Sequence, residues 1–191
     1  MRRGEQWIAV ALVAGAVVPA SAAAIVERPF APRFAANEPG AIWVTGSTLM
    51  TCPALAANCA ASQAGAASGA ALSNNGFVMG YVDTDGDPST FNSSSSTFTP
   101  AAGSQVLFAG LYWGGRTSSG GGGAPAAPDP GARGTALLRT PAAGTYLPVT
   151  GTVTDSAAIA GAYVAFADVT AVVRAGGPGR YAVADVQSET G

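Results

Sequence analysis

Hydrophobic and polar positions divide this chain into three stretches of different character. From Trp7 to Val18 the residues are almost all apolar, with Arg2 and Arg3 ahead of them and Pro19 behind. The run is about 12 residues, too short for a bilayer core that takes roughly 20. It shows no amphipathic face of the kind that packs as a surface helix. Ala20-Ser21-Ala22 then supplies small residues of the kind a signal peptidase needs. Residues 1–22 therefore read as a secretory signal peptide, with cleavage placed after Ala22 and with Ala23 or Ala24 nearly as suitable. The second stretch, residues 23–40, holds three prolines and no periodicity, and reads as an extended lead-in.

From Ala41 onward the pattern has a period of two. Ala41–Leu49, containing Trp43 and Val44, predicts a first strand. Phe77–Val82 places Phe77, Met79 and Tyr81 on one face and Val78 and Val82 on the other, and Ser95–Thr99 predicts a short polar strand around Phe98. Gln105–Trp113 is apolar on both faces, which predicts a central strand covered on both sides. Thr135–Arg139, Gly144–Thr150, Tyr163–Phe166, Val169–Arg174 and Arg180–Val186 follow as short strands. Turn signals such as Pro141-Ala-Ala-Gly144 and Gly176-Gly-Pro-Gly179 separate them. Ala60–Ala71 has helical propensity, but Gly65, Gly69 and the absence of large apolar side chains predict a loop or a single frayed turn. Gly114–Gly134 is a long Gly/Pro/Ser-rich loop. Short strands with Gly/Pro turns at this spacing predict an all-β fold, a β-sandwich over residues 41–191, with jelly-roll and Ig-like topologies both open. The strand pattern runs almost to Glu189-Thr190-Gly191, which reads as a domain left incomplete at its C-terminus, a fragment of a longer surface protein.

Composition narrows the function. Cleavage after Ala22 leaves 169 of the 191 residues, enough for one domain with a core. Charged residues make up 10% of the chain, against the usual ~25%. The formal net charge is −2 and there is no basic stripe, so nucleic-acid binding has no electrostatic footprint. Neither His nor Lys occurs. That removes His-dependent nucleophile triads, most zinc sites, Schiff-base chemistry and Walker-type phosphate binding. Carboxylate catalysis remains, and it needs two acids facing one another across a cleft. The sequence identifies no such pair, and the expectation is a protein that is not an enzyme.

Five features carry candidate chemistry. Cys52 and Cys59 enclose the loop Pro53–Asn58. In an exported chain the default is a local disulfide, since disulfides form and persist in oxidising compartments. Asp83-Thr-Asp85-Gly-Asp87 places three carboxylates at alternate positions, a candidate calcium loop if Gly86 lets the backbone curl. Pro88 and Ser94 stand where an EF-hand loop has Gly and Glu, and an acidic β-turn is the competing reading. Calcium is the one cofactor for which the sequence offers a candidate site. Leu147-Pro-Val-Thr-Gly151 spells a sortase motif, but Asp155 and Asp168 interrupt the segment where a membrane span would have to follow. Asn92-Ser-Ser94 matches a glycosylation sequon of a kind that is usually chance in a bacterial chain, and Ser93–Ser96 reads more simply as a solvated strand edge. Tyr112 and Trp113 could form a sugar-stacking platform, although such a pair is more often core.

Six segments carry a further signal: Leu49-Met-Thr-Cys-Pro53, Asn75-Gly-Phe-Val-Met79, Asp83-Thr-Asp-Gly-Asp-Pro-Ser-Thr-Phe-Asn-Ser-Ser-Ser95, Val106-Leu-Phe-Ala-Gly-Leu-Tyr-Trp-Gly-Gly115, Phe166-Ala-Asp-Val-Thr170 and Tyr181-Ala-Val-Ala-Asp-Val-Gln187. Together they resemble the N-terminal module of large actinobacterial surface proteins. The resemblance covers most of the chain after Ala41, and Phe-Asn-Ser-Ser-Ser and Ala-Gly-Leu-Tyr-Trp-Gly are its most specific parts. Such proteins continue into repeated β-sandwich modules of the conserved-repeat (DUF11) kind and then a wall or membrane anchor. The resemblance implies no catalytic residue. The expectation is an exported structural or adhesive module, secreted or associated with the cell surface. Its partners would be the cell envelope or an extracellular protein or glycan, with no nucleic acid and no transmembrane segment in the mature chain. A secreted carbohydrate-binding module is the alternative.

Overall fold

The period-two pattern becomes antiparallel sheets in a computed structural model of the protein, which describes residues 31–65, 68–69, 76–120 and 123–191. The signal peptide expected at residues 1–22 and the first part of the lead-in lie outside the described residues. Every element described below belongs to the compact unit Arg33–Gly191.

Among the described residues nine strands form: β1 (Met50–Thr51), β2 (Gly80–Tyr81), β3 (Ser93–Phe98), β4 (Gly110–Arg116), β5 (Thr135–Arg139), β6 (Leu147–Thr150), β7 (Thr152–Asp155), β8 (Ala162–Asp168) and β9 (Gly179–Ala184). They are joined by two short helices, α1 (Cys59–Gln63) and α2 (Thr170–Gly176), and a 3-10 turn at Pro130–Gly134. One sheet has the order β3-β9-β5-β6, a second β4-β8-β7, and β1 pairs with β2 alone. All pairings are antiparallel. The result is an all-β, sandwich-like fold. Among the described residues no helix is long and apolar enough to cross a membrane.

Alternation places the core between the two larger sheets. On β8, Tyr163, Ala165 and Ala167 are buried while Val164 is exposed; on β5, Ala136 and Leu138 are buried. Trp113 of β4 and Val186 complete the cluster, and Val149, Val153, Tyr181 and Val183 pack around it. Most of these side chains are small, so Trp113 and Tyr163 supply the bulk. Each large ring also carries a polar group that must find a partner when buried. Trp113 Nε1 donates to the Arg133 carbonyl (3.0 Å) and the Tyr163 hydroxyl to the Gln187 carbonyl (2.8 Å). Gly151 is the single residue between β6 and β7, where the chain passes from one sheet to the other. A Cβ there would lie 2.5 Å from Trp113 Cη2 and 2.7 Å from the Phe166 carbonyl oxygen, so only glycine fits this corner.

Four strand expectations are corrected. Gln105–Trp113 is not a central strand: the ladder runs from Gly110 to Arg116, β4 is an edge, and β8 is the centre of its sheet. The apolar residues on its outer face are covered in part by the lead-in, where Phe34 stacks on Phe108 (5.1 Å) and Phe108 on Phe166 (6.4 Å). Val169–Arg174 is mostly helix. Asp168 accepts from the Thr170 amide (2.9 Å) and hydroxyl, bending the chain out of β8, and Val169, Val172 and Val173 then meet the core at helical spacing. Ala41–Leu49 forms no ladder; strand pairing begins at Met50. β7 (Thr152–Asp155) pairs with β8 although its sequence gave no separate strand signal. The Gly/Pro/Ser-rich loop is pinned as well: β4 extends to Arg116, Ala124 and Ala127 are buried, and Ala127 N–H donates to the Thr117 carbonyl (3.1 Å).

Candidate functional site

The two cysteines are joined. Cys52 and Cys59 lie 5.7 Å apart at Cα, are disulfide-bonded, and are both buried. Asn58 takes a left-handed conformation (φ 68°), a conformation asparagine tolerates better than most residues. It turns the chain into α1, the single short turn that the Ala-rich sequence predicts. Gln63 at the end of that turn donates to Thr51 Oγ1 (2.8 Å), tying the loop to β1.

The acidic loop joins β2 to β3, and its carboxylates accept hydrogen bonds from the loop itself. Asp83 Oδ1 accepts from the amides of Asp85 (3.2 Å) and Gly86 (3.0 Å) and from the Ser93 hydroxyl (2.9 Å). Asp85 Oδ1 accepts from the Asp87 amide (3.1 Å). Asp87 Oδ1 accepts from the amide (2.9 Å) and hydroxyl (2.7 Å) of Ser89. Gly86 sits at φ +61°, as the curl requires. The second oxygen of Asp85 accepts from the Tyr146 hydroxyl and lies 3.5 Å from Arg139 Nη2. Arg139 in turn stacks over the Tyr146 ring (4.7 Å). Asp83, Asp85 and Asp87 are thus neighbours that do not converge on one point, and a guanidinium already stands against Asp85. Among the described residues no three His, Cys, Asp or Glu side chains are grouped to hold a metal ion.

Asp85 is the electrostatic centre of this cluster, with a side chain only 4% exposed. Burial alone would raise its pKa. The hydrogen bonds from the Tyr146 hydroxyl, the Asp87 amide and Ser93 outweigh that and lower it from 3.8 to about 2. The Tyr146 hydroxyl moves the other way, raised by burial and then by its bond to Asp85. Asp87 is lowered by its two bonds from Ser89.

The neighbouring sequon is locked in the fold. Asn92 is fully buried; its amide NH2 donates to the Val186 carbonyl (2.8 Å) and its oxygen accepts from the Val186 amide (3.1 Å). Ser93 and Ser94 are buried as well, so this half of the Ser93–Ser96 stretch is not the solvated edge that the sequence suggests. The sortase-like pentapeptide is strand β6 plus the Gly151 corner, paired with β5 from Thr135 to Leu138. Tyr112 and Trp113 part company: Trp113 is core, whereas Tyr112 is 57% exposed on the outer face of β4. Tyr112 meets Phe166 at 4.8 Å, and the Arg33 guanidinium lies 3.8 Å from the Phe166 ring centroid.

Two carboxylates, Asp129 and Asp185, line one open depression beside Phe91 and Gln187. Each uses Oδ1 to hold a backbone amide, of Gly131 (3.0 Å) and Phe91 (2.9 Å) respectively. Arg139 and Tyr146 are the partners that the sequence reading missed. They occupy facing positions one step beyond the Leu138–Leu147 pair of the β5–β6 hairpin, so register from the predicted turn at Pro141–Gly144 could have found them. No protein-family profile, curated protein or solved structure matches the chain.

Proposed function

We propose that this chain is an exported, non-catalytic β-sandwich module with a structural or adhesive role outside the cell, as part of a surface protein of the conserved-repeat kind. The observation that carries the reading is the buried Cys52–Cys59 disulfide, which belongs with oxidising compartments. The all-β fold and the internal use of the acidic loop support it: carboxylates that could have been a reactive cluster instead hold backbone amides. The test is a blot of fractionated native culture with antibody to residues 41–115. Signal in the wall, membrane or medium supports the role; signal confined to the cytosol overturns it.

A carbohydrate-binding role is the second reading, favoured by the exposed Tyr112 ring flanked on its strand by Gly110 and Gly114. Sugar stacking on that ring predicts glycan-array binding that disappears in Tyr112→Ala while the fold stays intact. An array without hits removes it.

A further inference from the structure

The outer edge of β3 is met by side chains of residues 43–47. Trp43 meets Phe98 edge-on (6.0 Å), Thr45 Oγ1 bonds Ser96 Oγ, and Ser47 Oγ donates to Ser94 Oγ (2.8 Å). Each step of two residues forward on the lead-in matches a step of two backward on β3. That is the register of an antiparallel pair. Yet no backbone hydrogen bond joins the two segments among the described residues.

The unmade bonds can be named. The Ser93 amide points away from β9 and donates to the Val82 carbonyl (2.9 Å). Peptide groups alternate sides along a strand, so the amide and carbonyl of Ser95 and Thr97 face the same open side. Opposite them, in the observed register, stand Gly46 and Val44. Closing the ladder would form four hydrogen bonds, two between Val44 and Thr97 and two between Gly46 and Ser95. In this chain the exit of the segment is fixed just beyond it. Thr48 Oγ1 bonds the Met50 backbone, the Leu49 carbonyl accepts from Val82 (2.9 Å), and Met50 pairs with Tyr81. The side chains therefore reach their partners while the backbone stops short. The outward face of the segment is apolar and open, with Ile42 93% and Val44 87% exposed. An unladdered edge beside exposed apolar residues is a template for another strand.

We propose that β3 accepts residues 43–47 of a second copy of this chain, so that two copies exchange this segment and each closes the four-bond ladder on the other. The segment's own side chains already meet β3 in antiparallel register, and exchange of an identical element is a low-cost route to dimers. The inference goes beyond the proposed role and does not depend on where the protein is located.

The experiment uses the full mature chain carrying Thr45→Cys and Ser96→Cys. Equal amounts of unlabelled and nitrogen-15-labelled protein are refolded together and oxidised, and the peptides linked through the new pair are weighed. Exchange predicts that about half of the linked peptides carry one copy of each isotope, the statistical share for a two-copy swap. Linked peptides of single isotope only would overturn it. A variant that leaves the native cysteines alone gives an independent arm: Gly46→Pro removes one amide of the proposed ladder, at a position where a Cβ would meet nothing within 4 Å. Light scattering is expected to show a dimer for the unmodified chain and a monomer for Gly46→Pro. A monomer for the unmodified chain at all concentrations, or a dimer unchanged by proline, would overturn the exchange.

Discussion

Two parts of this small interior are buried by opposite means. Around Trp113 the two sheets meet through Ala136, Leu138, Tyr163, Ala165, Ala167 and Val186, and the stabilisation comes from removing apolar surface from water. Along β3 and the loop before it, the buried side chains include the polar Asn92, Ser93 and Asp85, set beside the small apolar Ala182 and Ala184 of β9. There each polar group has a partner: Asn92 bridges Val186, Ser93 joins Asp83 to the Thr84 amide, and Asp85 holds Tyr146 beside Arg139. A sheet face rich in serine can be covered only if the covering loop supplies hydrogen bonds, and the acidic loop does that work. The difference teaches that a buried polar seam is held by matched hydrogen bonds, with Asp85 the one aspartate of the loop whose side chain is buried within it.

The comparison can be broken from either side. The largest effect is expected at the apolar centre: Trp113→Ala should cost about 3–5 kcal/mol, read as a lowered midpoint in urea unfolding. Next comes the polar seam. Asn92→Leu keeps the volume roughly but strands the Val186 amide and carbonyl, and is expected to cost ~2–6 kcal/mol at about 1–3 per buried unsatisfied group. A cost near zero would show that the seam is wet, not sealed. Tyr146→Phe should cost less, about 1–2 kcal/mol, because Arg139 still faces Asp85.

The pH dependence sharpens the same point. The folded pKa of Asp85 is depressed to about 2 from 3.8. Its contribution is therefore full above the unfolded value and is lost as pH falls from about 4 through about 2, a term of order 2 kcal/mol. Urea midpoints measured down this window should fall less steeply in Tyr146→Phe than in the unmodified chain, since the substitution removes one cause of the depression. The smallest expected effect is that of calcium. With three carboxylates committed to amides and Arg139 against Asp85, millimolar calcium is expected to leave the melting temperature where EDTA leaves it. A rise of several degrees would mean that the loop reopens around the ion.

Much of the sandwich was legible because β5 and β9 alternate small or apolar residues cleanly and turn residues bracket them. The disulfide was legible from spacing and compartment alone. Edges were harder. Gln105–Trp113 looked central because Phe108 and Tyr112 are apolar on the outer face, and nothing local says that a lead-in distant in sequence will cover them. Val169–Arg174 was misread because β-branched residues favour strands, although Val169, Val172 and Val173 already had helical spacing and Asp168 could bond Thr170. Ala41–Leu49 has the period of a strand and the side-chain register of one, but pairing needs backbone contact that pattern cannot report. The candidate site was half legible: the aspartates stood out, while Arg139 and Tyr146 gain their meaning only from hairpin register and from a loop folded back over it.

Export is the claim on which the functional reading rests, and the N-terminus of the native protein tests it most directly. Intact-mass and N-terminal sequencing of the protein purified from native culture should find a chain beginning at Ala23, or one or two residues later, with Cys52 and Cys59 refractory to alkylation until reduced. A chain beginning at Met1 with both thiols freely alkylated would contradict the account.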